Sequence, residues 1–270
     1  HEDLSQQLFP PQVPDPEQPT QVKRGTLDPM AQLCQPAAEL TRLQRTRWAQ
    51  PACFAFEYAL ATQLMEWGIQ PSALIGHSIG EFVAATLSGA ISLDDAIRLV
   101  AIRALAIEKL PRGSMIAVPL GSRDIAPYLD EGIALSASNS ETFCILAGTE
   151  QQIEQTRLAL ASDKVLAQRL PVEHAYHSEL LRDAAAELDA AARVVRVRAP
   201  SIPYISNVTG KWITYEQLND PGYWGQHLCS TVQFAAGMRT LLETTRVSLL
   251  IEVGYGQTLF GSVPTLFPPG

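Results

Sequence analysis

No stretch of the 270-residue chain is apolar over the roughly 18 residues needed to cross a bilayer. The opening HEDLSQQLFPPQ is polar and acidic, where a secretion signal would be cationic and then greasy. Neither a membrane span nor an export signal is expected. Cysteine is scarce: Cys34, Cys53, Cys144 and Cys229 are scattered, form no CxxC pair and sit in apolar company. That pattern suits buried free thiols in a reducing compartment better than bridges or metal ligands, so a cytoplasmic protein without a metal site is expected. Cations are outnumbered, 20 Lys and Arg against 28 Asp and Glu, and the net charge of −8 disfavours a nucleic-acid binder. The one basic cluster, ARVVRVRAP with Arg193, Arg196 and Arg198, has the composition of a solvated strand edge; a docking patch for an acidic partner is the alternative. No internal repeat is found.

What is present is apolar bulk. With 46% hydrophobic and 18% charged residues, the chain can bury one large core or a core with an insertion. Residues 9–29 are rich in Pro, Gln and charge and lack apolar periodicity, so they read as a surface excursion or a poorly ordered segment. From Pro51, Phe54, Tyr58, Ala61, Leu64 and Met65 fall at helical spacing up to Gly68, a natural helix stop. SALIG is a short buried strand and EFVAATLSGA a helix. SLDDAIRLVAIRALAIEKL has Ser92 as a candidate N-cap, Asp94 and Asp95 in its first turn and Lys109 at its end, the charge order a helix dipole prefers.

Beyond Pro111 the segments shorten. MIAVPL, SRDIAPYLDE, IALSAS, TFCILAGT, EQQIEQTRLALAS and KVLAQRLPV read strand, helix, strand, strand, helix, strand, the split βαβ pattern of a ferredoxin-like unit inserted at residues 113–173. HSELLRDAAAELDAAARV is helical, IPYISNV a strand, PGYWGQHL and FAAGMRTLLETT helical, and VSLLIEVG a buried strand. Strands alternating with helices outside the insert predict an α/β core with a mostly parallel sheet, built from residues 1–112 and 174–270.

Within this frame, GHSIG at 76–80 is a G-x-S-x-G turn with a strand before it and a helix after it. The glycines permit a strained turn that lifts the Ser78 hydroxyl, and the following helix start offers N–H groups to an oxyanion; the bland alternative is a tight turn with an idle serine. A nucleophilic serine needs a base, usually histidine. Five histidines exist: His1, His77 in the turn, His174 and His177 in HAYH, and His227 in QHLCSTVQF.

GHSIGE, an arginine 25 residues after the serine, MIAV, the split insert, HAYHS, ISNVTG and IEVG-x-G together resemble the acyltransferase domain of modular polyketide synthases and the malonyl-CoA:acyl-carrier-protein transacylases, in order from about Gln50 to Val263. The resemblance implies an α/β-hydrolase-like core with the ferredoxin-like insert. It implies that Ser78 attacks the thioester of malonyl-CoA, that His177 takes its proton, and that the acyl-serine passes to the phosphopantetheine thiol of an acyl carrier protein. Neighbouring domains such as a ketosynthase in one chain are implied, and no tightly bound cofactor. The backbone at His227 would orient His177, the N–H of Ile79 would serve the oxyanion hole, and Arg103 would grip the free carboxylate of the acyl group; Arg98 has the solvated role on the same helix. Tyr176, within HAYH, resembles the malonyl-selective pattern. Gln50, His77, Asn139, His174 and Asn207 are pocket candidates, with backbone capping the alternative for the two asparagines.

Two departures stand out. The GQGSQ-like loop that supplies a second oxyanion donor in the family is missing, so a fragment is expected, and EVGYGQ carries Tyr255 where the family has proline. Rival readings are an acyl hydrolase of the same fold, which would tend to lack Arg103, a catalytically silent docking module, and an ordinary esterase.

Overall fold

The computed structural model describes residues 40–256 and 259. Helix α1 (Thr46–Glu66) begins a turn before the apolar pattern that predicts it, which brings Thr46 and Gln50 onto its buried side. It ends before Gly68, whose φ of +89° suits glycine. Strand β1 (Leu74–Ile75) leads through the 76–80 turn into α2 (Ile79–Leu87) and then α3 (Leu93–Glu108). Ser92 caps α3, its side chain accepting the Asp95 N–H at 3.1 Å.

The insert supplies β2 (Ser114–Val118), β3 (Ala134–Ser140), β4 (Phe143–Gly148), α4 (Glu150–Ser162) and β5 (Gln168–Arg169), an antiparallel sheet in the order β3-β4-β2-β5. Where SRDIAPYLDE predicts a helix there is only a 3-10 turn at Ala126–Tyr128, because Pro127 has no N–H to extend it. Of KVLAQRLPV, only two residues are strand. Both faces of the sheet are covered. Ile116, Val118 and Leu146 pack with Ile153 and Leu160 of α4, whereas Met115, Ala117 and Ile145 face Phe234, Met238 and Leu241 of a later helix. Burial on both faces is why MIAV and FCILAG are nearly continuous apolar runs.

The chain then forms α5 (Arg182–Ala192), β6 (Tyr204–Ile205), α6 (Tyr215–Asn219), α7 (Tyr223–Cys229) and α8 (Phe234–Thr244). Strand β6 pairs in parallel with β1, Leu74 opposite Tyr204, and these two strands are the parallel sheet among the described residues. Segment 247–254, predicted as a buried strand, is irregular and pairs with no described strand, with Leu249 and Ile251 exposed. Arg193, Arg196 and Arg198 are exposed, in an irregular stretch after α5 rather than on a strand.

Helix α2 is apolar around most of its surface and is buried accordingly. Phe82 stacks on Trp224 of α7 at 4.0 Å between ring centroids, and Leu99, Ile107 and Leu188 from α3 and α5 close the cluster. Each such side chain contributes about 1.5–3 kcal/mol on burial. This packing fixes α2, and with it the turn at its start. Among the described residues no helix is long and apolar enough to cross a membrane, and Cys53, Cys144 and Cys229 are free thiols; Cys34 and the segment 9–29 lie outside the described residues.

Candidate active site

The 76–80 turn is tightly wound. Ser78 has φ 53° and ψ −110°, a region that L-residues occupy only when the surroundings enforce it. A Cβ on Gly76 would lie 2.1 Å from the Gly80 carbonyl carbon, so the strand end and helix start touch backbone to backbone. Asn207, just after β6, staples this turn: its Oδ1 accepts the Ser78 N–H at 2.7 Å and its Nδ2 donates to the Gly76 carbonyl at 2.8 Å.

Opposite the serine stands His177, itself at φ 56°. Its Nε2 is 2.7 Å from Ser78 Oγ. Its Nδ1 lies 3.1 Å from the His227 carbonyl and 3.2 Å from that of Ser230. Two carbonyls can only accept, so the proton sits on Nδ1 and the Nε2 lone pair faces the serine hydroxyl. Burial first, then the nearby Arg103 and His77, push the His177 pKa down to about 3 against the pull of the two carbonyls. The imidazole is thus a neutral base at ordinary pH.

Arg103 reaches the same hydroxyl from α3. The guanidinium is 1% exposed; Nη2 donates to Ser78 Oγ at 3.3 Å, Nη1 donates to Gln50 Oε1, and Nε has no hydrogen-bond partner. Among the described residues no carboxylate pairs with it. Burial lowers its pKa to about 10, which still leaves it charged. Gln50 is in turn held by Thr46, and Tyr176 completes this wall beside Thr46, Gln50 and the Arg103 charge. Arg98, by contrast, is exposed.

The other sequence candidates fall around this centre. His77 Nε2 meets Asn139 Oδ1 at 2.8 Å, joining the turn to β3 of the insert, and its ring packs near Phe234. Burial lowers the His77 pKa, against the Asn139 bond. His174 is buried beside Tyr176, 6.4 Å between ring centroids. Ile79 begins α2, and the N–H groups of a helix start have no intrahelical acceptor.

Sequence reasoning missed the Ser230 carbonyl and Glu81, and with Glu81 its supporting neighbours Ser206 and Tyr223, which do not touch the reacting groups. Glu81 is wholly buried; its Oε2 accepts the Asn207 N–H at 2.7 Å and lies 3.4 Å from His227 Nε2, and its Oε1 accepts from the Tyr223 hydroxyl. The signal was there: a carboxylate inside the otherwise apolar run IGEFVAATL must find partners or neutralise. Among the described residues no group of His, Cys, Asp and Glu could hold a metal ion.

A serine, a neutral histidine and a buried, acid-free guanidinium meeting at one hydroxyl can perform acyl transfer through an acyl-serine. Comparison with known proteins points the same way. Residues 17–258 match the family model described as acyl transferase domain. A phenolphthiocerol/phthiocerol polyketide synthase component of Mycobacterium tuberculosis is 36% identical over 222 residues, 82% of this chain and 15% of that protein. Polyketide synthase GfsB of Streptomyces halstedii is 34% identical over 250 residues, 89% of this chain and 4% of that protein. The chain therefore spans a small part of these relatives. Among solved structures, the acyl transferase domain of SpnD, in complex with 2-(pent-4-yn-1-yl)malonyl, superposes with a TM-score of 0.80 at 37% identity, covering 84% of this chain and 55% of that one. The malonyl CoA-acyl carrier protein transacylase of Burkholderia pseudomallei gives 0.77 at 28% identity, covering 83% and 80%.

Proposed function

The chain belongs to the acyl transferase domain family, and from that premise we propose that it loads a malonyl-type extender unit from coenzyme A onto the phosphopantetheine thiol of an acyl carrier protein. The observation that carries this reading is Arg103: a buried guanidinium that pairs with no carboxylate among the described residues and donates to the nucleophile's hydroxyl. Burying a cation costs several kcal/mol, and a substrate carboxylate in a bidentate bond offsets that cost only when it binds.

The steps follow from the geometry. Ser78 Oγ attacks the thioester carbonyl while its proton passes to His177 Nε2; the oxyanion takes the Ile79 N–H, and Nδ1 keeps the imidazolium anchored on the carbonyls of His227 and Ser230. Collapse expels the coenzyme A sulfur, which takes the proton from His177. The carrier thiol then gives its proton to His177, attacks the acyl-serine and releases Ser78, which recovers that proton. Tyr176 narrows the space beside Arg103, favouring malonyl over branched units; one methyl is worth about 1–3 kcal/mol there, so the preference is finite. The neighbour bound to a substituted malonyl supports the dicarboxylic class as a whole.

The same reading takes residues 113–173 as a ferredoxin-like subdomain, supported by its strand order, on an α/β-hydrolase-like core formed by 1–112 and 174–270. It places the domain in the cytoplasm, beside a ketosynthase within one polypeptide. The presence of Arg103 disfavours the hydrolase alternative.

Intact-protein mass spectrometry after brief exposure to malonyl-CoA, methylmalonyl-CoA and acetyl-CoA tests it. We expect a malonyl adduct that is lost in Ser78→Ala. An acetyl adduct formed as fast as malonyl, or none from folded protein, would overturn the reading.

A further inference from the structure

We propose that Glu81 is a positioning residue for the reacting pair, one carboxylate whose two arms set the backbone around both Ser78 and His177. The inference rests on the acyl-transfer reading for its purpose, but its geometry is independent of the acyl donor.

The first arm runs to the serine. Glu81 Oε2 accepts the Asn207 N–H at 2.7 Å, and the Asn207 side chain holds the Ser78 N–H and the Gly76 carbonyl. The second arm runs to the base. The same Oε2 is 3.4 Å from His227 Nε2, and the His227 carbonyl takes the His177 Nδ1 proton. Among the described residues neither ring nitrogen of His227 makes a hydrogen bond, so this second arm is a close polar contact rather than a hydrogen bond. Tyr223 anchors the remaining oxygen, Oε1, and lies 2.8 Å from Ser206 Oγ.

A fully buried carboxylate is expensive, and one that served only packing would be replaced by an apolar side chain with gain rather than loss. Glu81 instead stands where α2, α7 and the segment after β6 converge, linked through Asn207 and His227 to Ser78 and His177, both of which hold positive φ. Positive φ at a serine and a histidine persists only when neighbours over-determine it, and the Glu81 arms supply that constraint from behind the site. A displacement of the reacting groups by about 1 Å can cost 10²-fold in rate.

The test compares Glu81→Gln with Tyr223→Phe. The first keeps shape but loses the charge facing His227 and one acceptor; the second keeps the carboxylate and both arms while removing a buried hydrogen bond. The readout is the rate at which a fluorophosphonate labels Ser78 per folded molecule, alongside Tm and the 15N–1H resonance of His177 Nδ1. We expect Glu81→Gln to label about 10- to 100-fold more slowly and its His177 resonance to move, with the KM for malonyl-CoA changing less than threefold. Tyr223→Phe should lower Tm but label within threefold of wild type. Glu81→Gln that labels within threefold of wild type with an unmoved resonance, or two variants that slow in proportion to their loss of Tm, would overturn the proposal. Fluorophosphonate needs no acyl donor, so labelled wild-type protein that forms no malonyl adduct sinks the donor reading and leaves this one decided.

Discussion

Arg103 Nη2 lies 3.3 Å from Ser78 Oγ, the same hydroxyl that meets His177 Nε2 at 2.7 Å. Among the described residues the cation thus meets a nucleophile rather than an acid, and burial first, then this charge, keeps His177 neutral. One side chain thereby has two effects: under the proposed function it attracts a donor that carries a carboxylate, and together with burial it helps hold the base in its proton-accepting form.

Removing that cation should separate stability from function. Arg103→Met replaces a buried ion by an apolar side chain of similar length, and such replacements are often neutral or stabilising by about 1–4 kcal/mol. We expect Tm to rise, while acylation by malonyl-CoA falls on the order of 10²-fold or more, because a buried charge pair truncated on one side costs about 2–5 kcal/mol. Acetyl-CoA, lacking the carboxylate, should lose far less. Thermal melts and adduct formation with both donors check this; an equal loss for both would place Arg103 outside donor recognition.

The two glycines of the turn should respond in opposite ways. Gly76→Ala drives a Cβ to 2.1 Å from Gly80 backbone, which cannot move without unseating α2, so we expect a loss of about 3 kcal/mol or more and little soluble protein. Gly80→Ala meets only the Glu57 carboxylate oxygen at 3.6 Å, in a helix where alanine is favoured over glycine by about 0.5–1 kcal/mol. It should fold and melt no lower than wild type by calorimetry.

Much of this site could be read in the sequence because its parts are locally encoded. A strand, a G-x-S-x-G turn and a helix are contiguous, and the Arg103 helix carries its own cap at Ser92. What joins them is long-range: His177 meets carbonyls 50 and 53 positions away, and Asn207 staples a turn 129 positions earlier. Backbone acceptors leave no mark on side-chain identity, so Ser230 could not be found, and His227 was reached only through family resemblance. Segment 247–254 failed for the converse reason: its apolar pattern is strand-like, but strand formation depends on a partner edge.

Asn207 offers a clean distinction between contact with substrate and support of the turn. Its side-chain oxygen and nitrogen are both committed to backbone groups, so Asn207→Ala leaves the Ser78 N–H and the Gly76 carbonyl unpartnered at about 1–3 kcal/mol each. We expect a lower Tm and a kcat for acylation reduced at least tenfold, with KM for malonyl-CoA unchanged within twofold. A rise in KM at constant kcat would instead make Asn207 a substrate ligand.

The pH profile should belong to Glu81 rather than to His177. His177, held down to about 3, is neutral from pH 4 upward and adds no acid limb in the working range. Burial raises Glu81 to about 7 against hydrogen bonds from Tyr223 and Asn207, so the carboxylate forms above that pH and is protonated below it. The groups facing it are Tyr204 from β6, Ser206 and Asn207 beyond it, and Tyr223 and His227 from α7; His177, Arg103 and His77 lie behind His227. The ionised form accepts the Asn207 N–H more strongly than the neutral acid does, so Ser78 labelling should slow as pH falls through about 7 and recover as it rises. Glu57, raised to about 7 by burial as well, sits beside Gly80 and bonds to neither arm, so Glu57→Gln is the control. We expect fluorophosphonate labelling between pH 5 and 9 to keep its acid limb in Glu57→Gln and to flatten in Glu81→Gln. A limb that survives in Glu81→Gln would assign the titration elsewhere and remove the electrostatic part of its positioning role.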